Sequence, residues 1–426
     1  MSPRHALAAL LLVLAGVPLL WTAGSALGSG LNAQAWARLP AQPALWQATA
    51  LTVWTGLVST TLAWWLAARL LASGFVTGRL QATLRWLPAL LATPHAAMAI
   101  GLLFLLAPSG WVLRALSPWL TGFDAPPPWS TTQDPWGLGL IVALVVKEVP
   151  FLLWTAATQL QREDVRQRWR AEHALAQTLG YGARRAFWRV VWPQLAPRLQ
   201  WPLLAVLAYG LTVVDMALVI GPTSPPTLAV LAWQWLGDVD PATHALGAAA
   251  GVGLMGLVIG VSALWWGAHR LTQARRWLDG ERGAVAPARA PGHGAAGVAM
   301  LSVYGAAWLA LAVGSISGVW PFPAVWPDSF TLDAWSRVID SGSTAWTTLW
   351  LGAASSAIAL VWSVAWLECA PRRWDEAARP LLYLPLVLPA VLWVVGLYGV
   401  GLQLRLEGQA SGLLIAHTLM VLPYVL

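Results

Sequence analysis

The sequence predicts an all-α membrane protein, a polytopic helical bundle, and three observations carry that reading. Apolar residues make up 58% of the chain and charged residues 10%, with a mean hydropathy of +0.62. A soluble globule of that composition would expose far too much apolar surface. The apolar residues gather into runs of about 20, the length that crosses the hydrocarbon of a bilayer. The arginines sit between those runs and favour every second loop, which is the signature of a chain that threads a membrane repeatedly.

Ten spans are expected in order, over residues 6–26, 45–68, 86–107, 137–160, 200–221, 245–268, 295–317, 344–367, 381–403 and 411–426. The first follows Arg4 and runs toward Ala23-Gly24-Ser25-Ala26, a pattern shared with cleavable signals; its apolar run is long enough to span, so it is read as an uncleaved helix. With the N terminus inside, only Arg38, Arg114, Arg337 and Arg405 fall on outside loops, against twenty on inside segments. Cytoplasmic loops carry the basic excess, so the N terminus is expected in the cytoplasm. Many of the 31 tryptophans lie near span ends, among them Trp21, Trp46, Trp86, Trp154, Trp265, Trp266 and Trp366, where interfacial anchors belong. The net charge of +7 is spread over membrane-flanking loops. That excludes nucleic acid as a partner and leaves the lipid bilayer. The single cysteine, Cys369, excludes an intramolecular disulfide and reads as a filler at the membrane edge.

One polar segment stands out between the fourth and fifth spans. In Ala174–Pro193, ALAQTLGYGARRAFWRVVWP, residues Ala171, Ala174, Leu175, Thr178 and Leu179 recur at helical spacing as a narrow apolar stripe. Gly180 stops that helix, since glycine takes the left-handed cap conformation without steric cost, and Gly180-Tyr181-Gly182 reads as a tight turn. A second short helix follows. Ala183, Ala186, Phe187, Val190 and Val191 form its apolar face, Arg184, Arg185 and Arg189 its wet one, and Pro193 sits at the start of the next helix.

This segment resembles the EAA loop of permease subunits of binding-protein-dependent ABC importers. That loop reads Glu-Ala-Ala, three residues, Gly, nine residues, Ile, one residue, Leu, Pro. Gly180, the nine residues 181–189, then Val190, Val191, Trp192 and Pro193 follow it, with Val for Ile and Trp for Leu. Counting back from Gly180 puts Ala174, Leu175 and Ala176 on the first box, where the glutamate is missing; Glu172, two residues upstream, is the acidic residue available in its place. The specific motif covers about 25 residues, and Ala208–Leu236 is a weaker family-like extension. The resemblance implies a MetI-like fold of the fused double-domain iron(III), thiamine and Ynj type, with tandem ABC-importer type I transmembrane domains. It also implies two ABC ATPase subunits that dock on the coupling loop, a periplasmic solute-binding protein, a bacterial inner-membrane location and no cofactor in this chain.

The chain also repeats itself. Ala35-Trp36-Ala37-Arg38 is echoed by Ala334-Trp335-Ser336-Arg337, Gly56 with Ser59 by Gly352 with Ser355, and Pro94 with Gly101 by Pro389 with Gly396, at offsets of roughly 295 to 299. A near-constant offset in one order argues for tandem duplication, and an even number of spans keeps both copies in one orientation. The first copy covers 1–269 with its coupling loop at 162–197, the Arg-, Gly-, Ala- and Pro-rich stretch 270–294 is a cytoplasmic linker, and the second copy covers 295–426. Pro423 aligns with Pro150, so the second copy is incomplete after about four spans and the chain is expected to be a fragment. Glu376-Ala377-Ala378 is a decoy, because the residue six after the glutamate is Leu382, not glycine.

The only lysine is Lys147, followed by Glu148, so no phosphate-cradling Gly-Lys-Ser or Gly-Lys-Thr turn exists and ATP hydrolysis is expected in a partner. Charges inside a span are costly. Lys147 and Glu148 either pair inside the bundle with a residue such as Asp215 or line the solute route. Adjacent helical residues point about 100° apart, so both cannot face one partner. The rival function is an ion-coupled secondary transporter with Lys147, Glu148 and Asp215 as its relay; a membrane enzyme with a cofactor between helices is a third. Pro94, Pro150, Pro389 and Pro423 interrupt spans as packing bends or hinges. The histidines His5, His95, His173, His244, His269, His293 and His417 are scattered without metal- or haem-site spacing and read mostly as bystanders.

Overall fold

The first helix opens where the side chain of Ser2 accepts from the amide of His5 (3.4 Å), one residue ahead of Pro3. A serine cap followed by proline satisfies one free N–H and removes another that would have had no partner. The computed structural model describes residues 2–78, 80–276, 295–406 and 408–426. Its main helices are α1 (Pro3–Gly30), α2 (Leu45–Thr77), α3 (His95–Leu106), α4 (Leu138–Gln161), α5 (Glu163–Thr178), α6 (Gln200–Thr212) and α7 (Asp215–Ile220). They continue with α8 (Leu228–Leu236), α9 (Pro241–Arg276), α10 (Ala295–Ile316), α11 (Gly342–Cys369), α12 (Arg372–Leu382), α13 (Ala390–Gln403) and α14 (Ala410–Val425).

Among the described residues seven helices are long and apolar enough to cross a membrane, and a pair bent by 99°, Arg372–Leu386 with Ala390–Gln403, brings the number to eight. The expectation of ten spans is corrected at two places. The fifth, 200–221, is broken at Val213-Val214 into α6 and α7, and the last, α14, is only 16 residues long. Hydropathy sees a continuous apolar run and is blind to a break in the backbone. Proline accounts for two further breaks: Pro94 and Pro389 each follow an extended residue, with ψ 121° at Thr93 and 137° at Leu388, and each begins a new helix. Pro150 and Pro423 lie inside continuous helices. The expected linker falls mainly on residues 277–294, outside the described residues, as do His293 and the side chain of His269; α9 itself runs on through Arg276.

The described chain forms two compact units that interleave the stretches 1–269 and 295–426. One comprises Met1–Trp46, Leu228–Leu257 and Leu332–Leu426; the other comprises Gln47–Thr227 and Val258–Thr331.

In the first unit α1 lies on α13 through a seam of small residues that lets the backbones approach, as helices in lipid require. Gly396 faces the Thr22 carbonyl so closely that a Cβ there would collide with it. Ala8, Ala15, Leu19, Trp362, Trp366 and Trp393 belong to the buried core. Trp366 stacks on Trp362 (centroids 5.5 Å apart, planes within 10°) and donates from Nε1 to Asp375 (3.0 Å), while Arg379 pairs with the same carboxylate. Trp366 is fully buried, whereas Trp21, Trp46, Trp86, Trp154 and Trp266 are exposed. An indole needs one acceptor when buried, and Asp375 supplies it. Glu376 of the decoy string pairs with Arg372 (3.0 Å) on the exposed side of α12.

In the second unit α3 packs on α10, where Gly101 meets the backbone of Ala307. Asp134 starts α4 by accepting from the amides of Leu138 and Gly139 (3.0 Å each). Arg114, expected on an outside loop, is buried; its guanidinium donates to the carbonyls of Ser109, Pro321, Ala324 and Trp320 at 2.7–3.1 Å. Five donors in a rigid fork suit such a carbonyl-lined socket.

Candidate functional site: a polar hairpin and an intramembrane polar group

After α4 the chain leaves the apolar part of the unit through α5, a helix with Glu163 and Asp164 in its first turn, where carboxylates favour the positive end of the helix dipole. Glycine ends it: Gly180 has φ +90°, and the amide of Tyr181 reaches back to the Ala176 carbonyl (3.1 Å). Any other residue would be strained at that φ. A short helix, Ala183–Ala186, then passes into a π-helical turn, Phe187–Val191, and a further turn that carries Pro193 near its start. Ala186, Phe187 and Val191 are buried and Ala183 and Val190 half-buried.

The face of α5 that turns inward is not the stripe the sequence suggests. Val165, Trp169, His173 and Ala176 are buried, while Ala171, Ala174, Leu175, Thr178 and Leu179 are exposed, Leu175 at 60% and Leu179 at 57%. Both sets have helical spacing, and the larger Trp169 wins the interior. Of the first box, Ala176 therefore points in and Ala174 and Leu175 point out.

Three side chains that motif matching missed hold the hairpin. Trp169 donates from Nε1 to Gln194 Oε1 (3.0 Å), and Gln194 Nε2 donates to Glu172 Oε2 (2.7 Å) and to the Val190 carbonyl (2.8 Å). His173, a bystander by sequence, is buried between Gln177 (3.1 Å from Nδ1) and the Ala183 carbonyl (2.8 Å from Nε2). That arrangement fits a ring protonated on Nε2, which then donates to the carbonyl and accepts from the amide. Glu172 also pairs with Arg168 (2.7 Å). The acidic stand-in of the first box is thus turned to partners within its own loop.

The second candidate group lies within the spans. Lys147 is buried and donates from Nζ to the carbonyls of Thr93 (2.7 Å) and Leu90 (3.4 Å). Of the two sequence readings, pairing with a residue such as Asp215 or lining the route, no salt bridge between Lys147 and Asp215 is found among the described residues. Leu90 is four residues before Pro94, whose nitrogen carries no hydrogen, so its carbonyl has no helical donor and Lys147 supplies one. Glu148 is buried on another side of α4, within electrostatic reach of Tyr304. Asp215 is exposed at the break before α7, with the Tyr209 hydroxyl 3.4 Å from Oδ1, and the Tyr209 ring meets that of His95 at 5.0 Å. In the other unit a cavity of about 740 Å³ is lined by Trp233, Leu236, Asp238, His244, Val394 and Tyr398 among others.

The chain is 33% identical over 439 residues to the inner membrane ABC transporter permease protein YnjC of Escherichia coli (strain K12), a match that covers 99% of this chain and 76% of that protein. The chain belongs to the ABC transporter permease family. No family model matches it. The permease is a membrane-spanning, non-catalytic subunit, and the ATPase is a separate protein. Membership removes the ion-coupled transporter and the membrane enzyme as readings of the chain. It leaves the parts played by individual side chains to the geometry.

One consequence concerns acid. Hydrogen bonds from Arg168, then from Gln194, hold the Glu172 carboxyl below the usual carboxylate range. A folded pKa below the unfolded one adds stability that is complete above the unfolded value and is lost as pH falls through the folded one. The Tm advantage of the permease over its Glu172→Gln variant is therefore expected near neutrality and to shrink in acid, read by thermal unfolding in detergent across pH 7 to 3. An advantage that does not change with pH would contradict the ionic clamp.

Proposed function

We propose that segment 162–197 is the coupling surface on which an ABC ATPase docks and through which nucleotide-driven closure reaches the spans. The observation that carries this reading is the exposed apolar stripe Ala171, Ala174, Leu175, Thr178 and Leu179 on a helix otherwise rich in charge. The clamp Trp169–Gln194–Glu172 gives that helix a rigid lever into the turn at Pro193 and onward to α6. A rigid element transmits displacement where a flexible loop would absorb it. In this reading Ala174, Leu175, Ala176, Gly180, Val190 and Pro193 are the coupling residues, with Ala176 and Val190 supporting and Leu175 touching the ATPase.

The permease accepts a solute from a periplasmic binding protein and passes it across the inner membrane, with two ATPase copies at the cytoplasmic face and the N terminus on that same side. The orientation is supported by the arginine bias. Tandem type I repeats are supported by the paired breaks at Pro94 and Pro389 and by the paired close contacts at Gly101 and Gly396, each against a helix that opens the other stretch of sequence. The first helices α1 and α10 are then exchanged between repeats.

The test is the double variant Leu175→Glu and Leu179→Glu. Both side chains are exposed, so the fold should tolerate them. Co-purification of the ATPase is expected to fall at least about tenfold, since burying an unpaired carboxylate in a docking groove is costly. Unchanged association together with unchanged coupled ATP hydrolysis would overturn the reading.

A further inference from the structure

The hairpin after α4 carries charge of almost one sign. From Val165 to Val214 the chain holds seven arginines and a single acidic residue, Glu172. That carboxylate is committed to its own loop: Oε1 accepts from Arg168 (2.7 Å) and Oε2 from Gln194 (2.7 Å). The two acids that open α5 are likewise tied, Glu163 to Arg166 and Gln167, and Asp164 to Arg162 (3.7 Å).

Beside the apolar stripe the loose charges are positive. Arg170 precedes Ala174 by one turn of α5, and Arg184 stands two residues beyond the Gly180-Tyr181-Gly182 turn. Both are exposed, and among the described residues neither forms a salt bridge. Arg170 lies within electrostatic reach of Glu163, but that carboxylate already accepts from two side chains of its own turn. A guanidinium keeps its charge throughout the physiological range. An apolar helix face flanked by fixed positive charge is complemented by an apolar groove with carboxylates on its rim, whereas a rim of lysine or arginine would meet like charge.

A lipid surface is the other anionic partner that a basic, amphipathic helix can serve. Such helices turn their large residues outward into the bilayer. Here the one aromatic side chain of α5, Trp169, is turned inward, and three of the five outward stripe residues are alanine or threonine. Small outward residues suit close seating in a protein groove.

We infer that the ATPase receives α5 in an apolar groove rimmed by aspartate or glutamate, with Arg170 and Arg184 as the charges that face those carboxylates. Leu175 and Leu179 fill the groove, and the arginines set register and speed encounter. Glu172 stays within the hairpin and makes no contact with the partner. The inference rests on the coupling reading of segment 162–197 and names the partner surface which that reading requires.

The lysine content of the chain makes the test direct. Lys147 is the only lysine and is buried with Nζ on backbone carbonyls, so Arg170→Lys and Arg184→Lys each add one accessible side-chain amine while keeping the charge. The complex of each variant with its ATPase, in neutral detergent without lipid, is treated with a water-soluble carbodiimide, which joins an amine to a touching carboxylate with loss of water. Each variant is expected to give a permease–ATPase adduct that the unsubstituted permease does not form. Mass spectrometry of its peptides should join position 170 or 184 to an Asp or Glu of the ATPase. Reversing the charge with Arg170→Glu and Arg184→Glu, both at exposed positions that the fold tolerates, is expected to weaken co-purification at least about fivefold. Arg170→Ala with Arg184→Ala should flatten the fall in association between about 0.05 and 0.5 M salt, since exposed pairs are screened. The inference is overturned if neither lysine is joined to the ATPase, if the adduct maps instead to Glu172 and an ATPase lysine, or if charge reversal leaves association unchanged. Arginines that served anionic lipid would produce the first of these outcomes. Leu175→Glu with Leu179→Glu separates the two levels: association that survives it removes the coupling reading, whereas association lost there but untouched by the arginine reversals removes only the acidic rim.

Discussion

Gly101→Ala and Gly396→Ala are each expected to destabilise the permease by at least about 1–3 kcal/mol, the usual cost of overpacking a filled interior. At Gly101 the new Cβ would stand 2.7 Å from the Ala307 carbonyl oxygen and 3.0 Å from its Cβ; at Gly396 it would strike the Thr22 carbonyl and lie 2.9 Å from Thr22 Cγ2. A flexible side-chain tip can move aside, but a backbone oxygen fixed in a helix cannot, so the helices must part and lose contacts along their length. Controls are available on the partner helices themselves. Gly24 in α1 and Gly305 in α10 have nothing within 4 Å of the position a Cβ would take. Alanine there should be neutral or should stabilise by about 0.5–1 kcal/mol, since glycine in a helix interior costs that much in chain entropy. Thermal unfolding in detergent reads all four variants. Equal effects at packed and open glycines would refute the close-approach argument.

Those two glycines show what is legible in the sequence. Their spacing puts them at the same offset as Pro94 and Pro389 without revealing what each touches. The structure places Gly101 against α10 and Gly396 against α1, contacts between stretches far apart in sequence. Hydropathy finds apolar runs because the bilayer selects for them over their whole length. It misses the break between α6 and α7 because Val213 and Val214 are as apolar in an extended backbone as in a helix.

The hairpin divides along the same line. Gly180 is readable because a φ of +90° admits few residues other than glycine, so the geometry leaves a chemical mark. The face of α5 leaves none, because Ala171–Leu175–Leu179 and Val165–Trp169–His173 are equally periodic, and only the tertiary acceptor for the Trp169 indole, on Gln194, decides between them. The bulk and the N–H of the indole favour Trp169 for the interior, since a large aromatic with one polar atom seeks burial with one partner. The stripe left outside is informative for the same reason: apolar residues that the chain does not bury itself remain available to another protein.

Lys147→Met is expected to lower stability by about 1–3 kcal/mol for each carbonyl left without a partner, while keeping the shape of the side chain. Its Nζ serves Thr93 and Leu90, and the second of these lacks a helical donor because residue 94 is proline. A pairing partner tied to one missing hydrogen predicts coupling between the two sites. Pro94→Ala returns an N–H to the chain and lets α3 extend toward Leu90, so the double variant should lose less than the sum of the single ones, by roughly 1 kcal/mol in a double-mutant cycle. A lysine that instead contacted solute would behave differently. Its removal would change transport with stability intact, and Pro94→Ala would not compensate. Additive losses, or full stability of Lys147→Met, would move this residue from the scaffold to the route; a coupled loss would mean that the charge in α4 is retained to satisfy a broken helix.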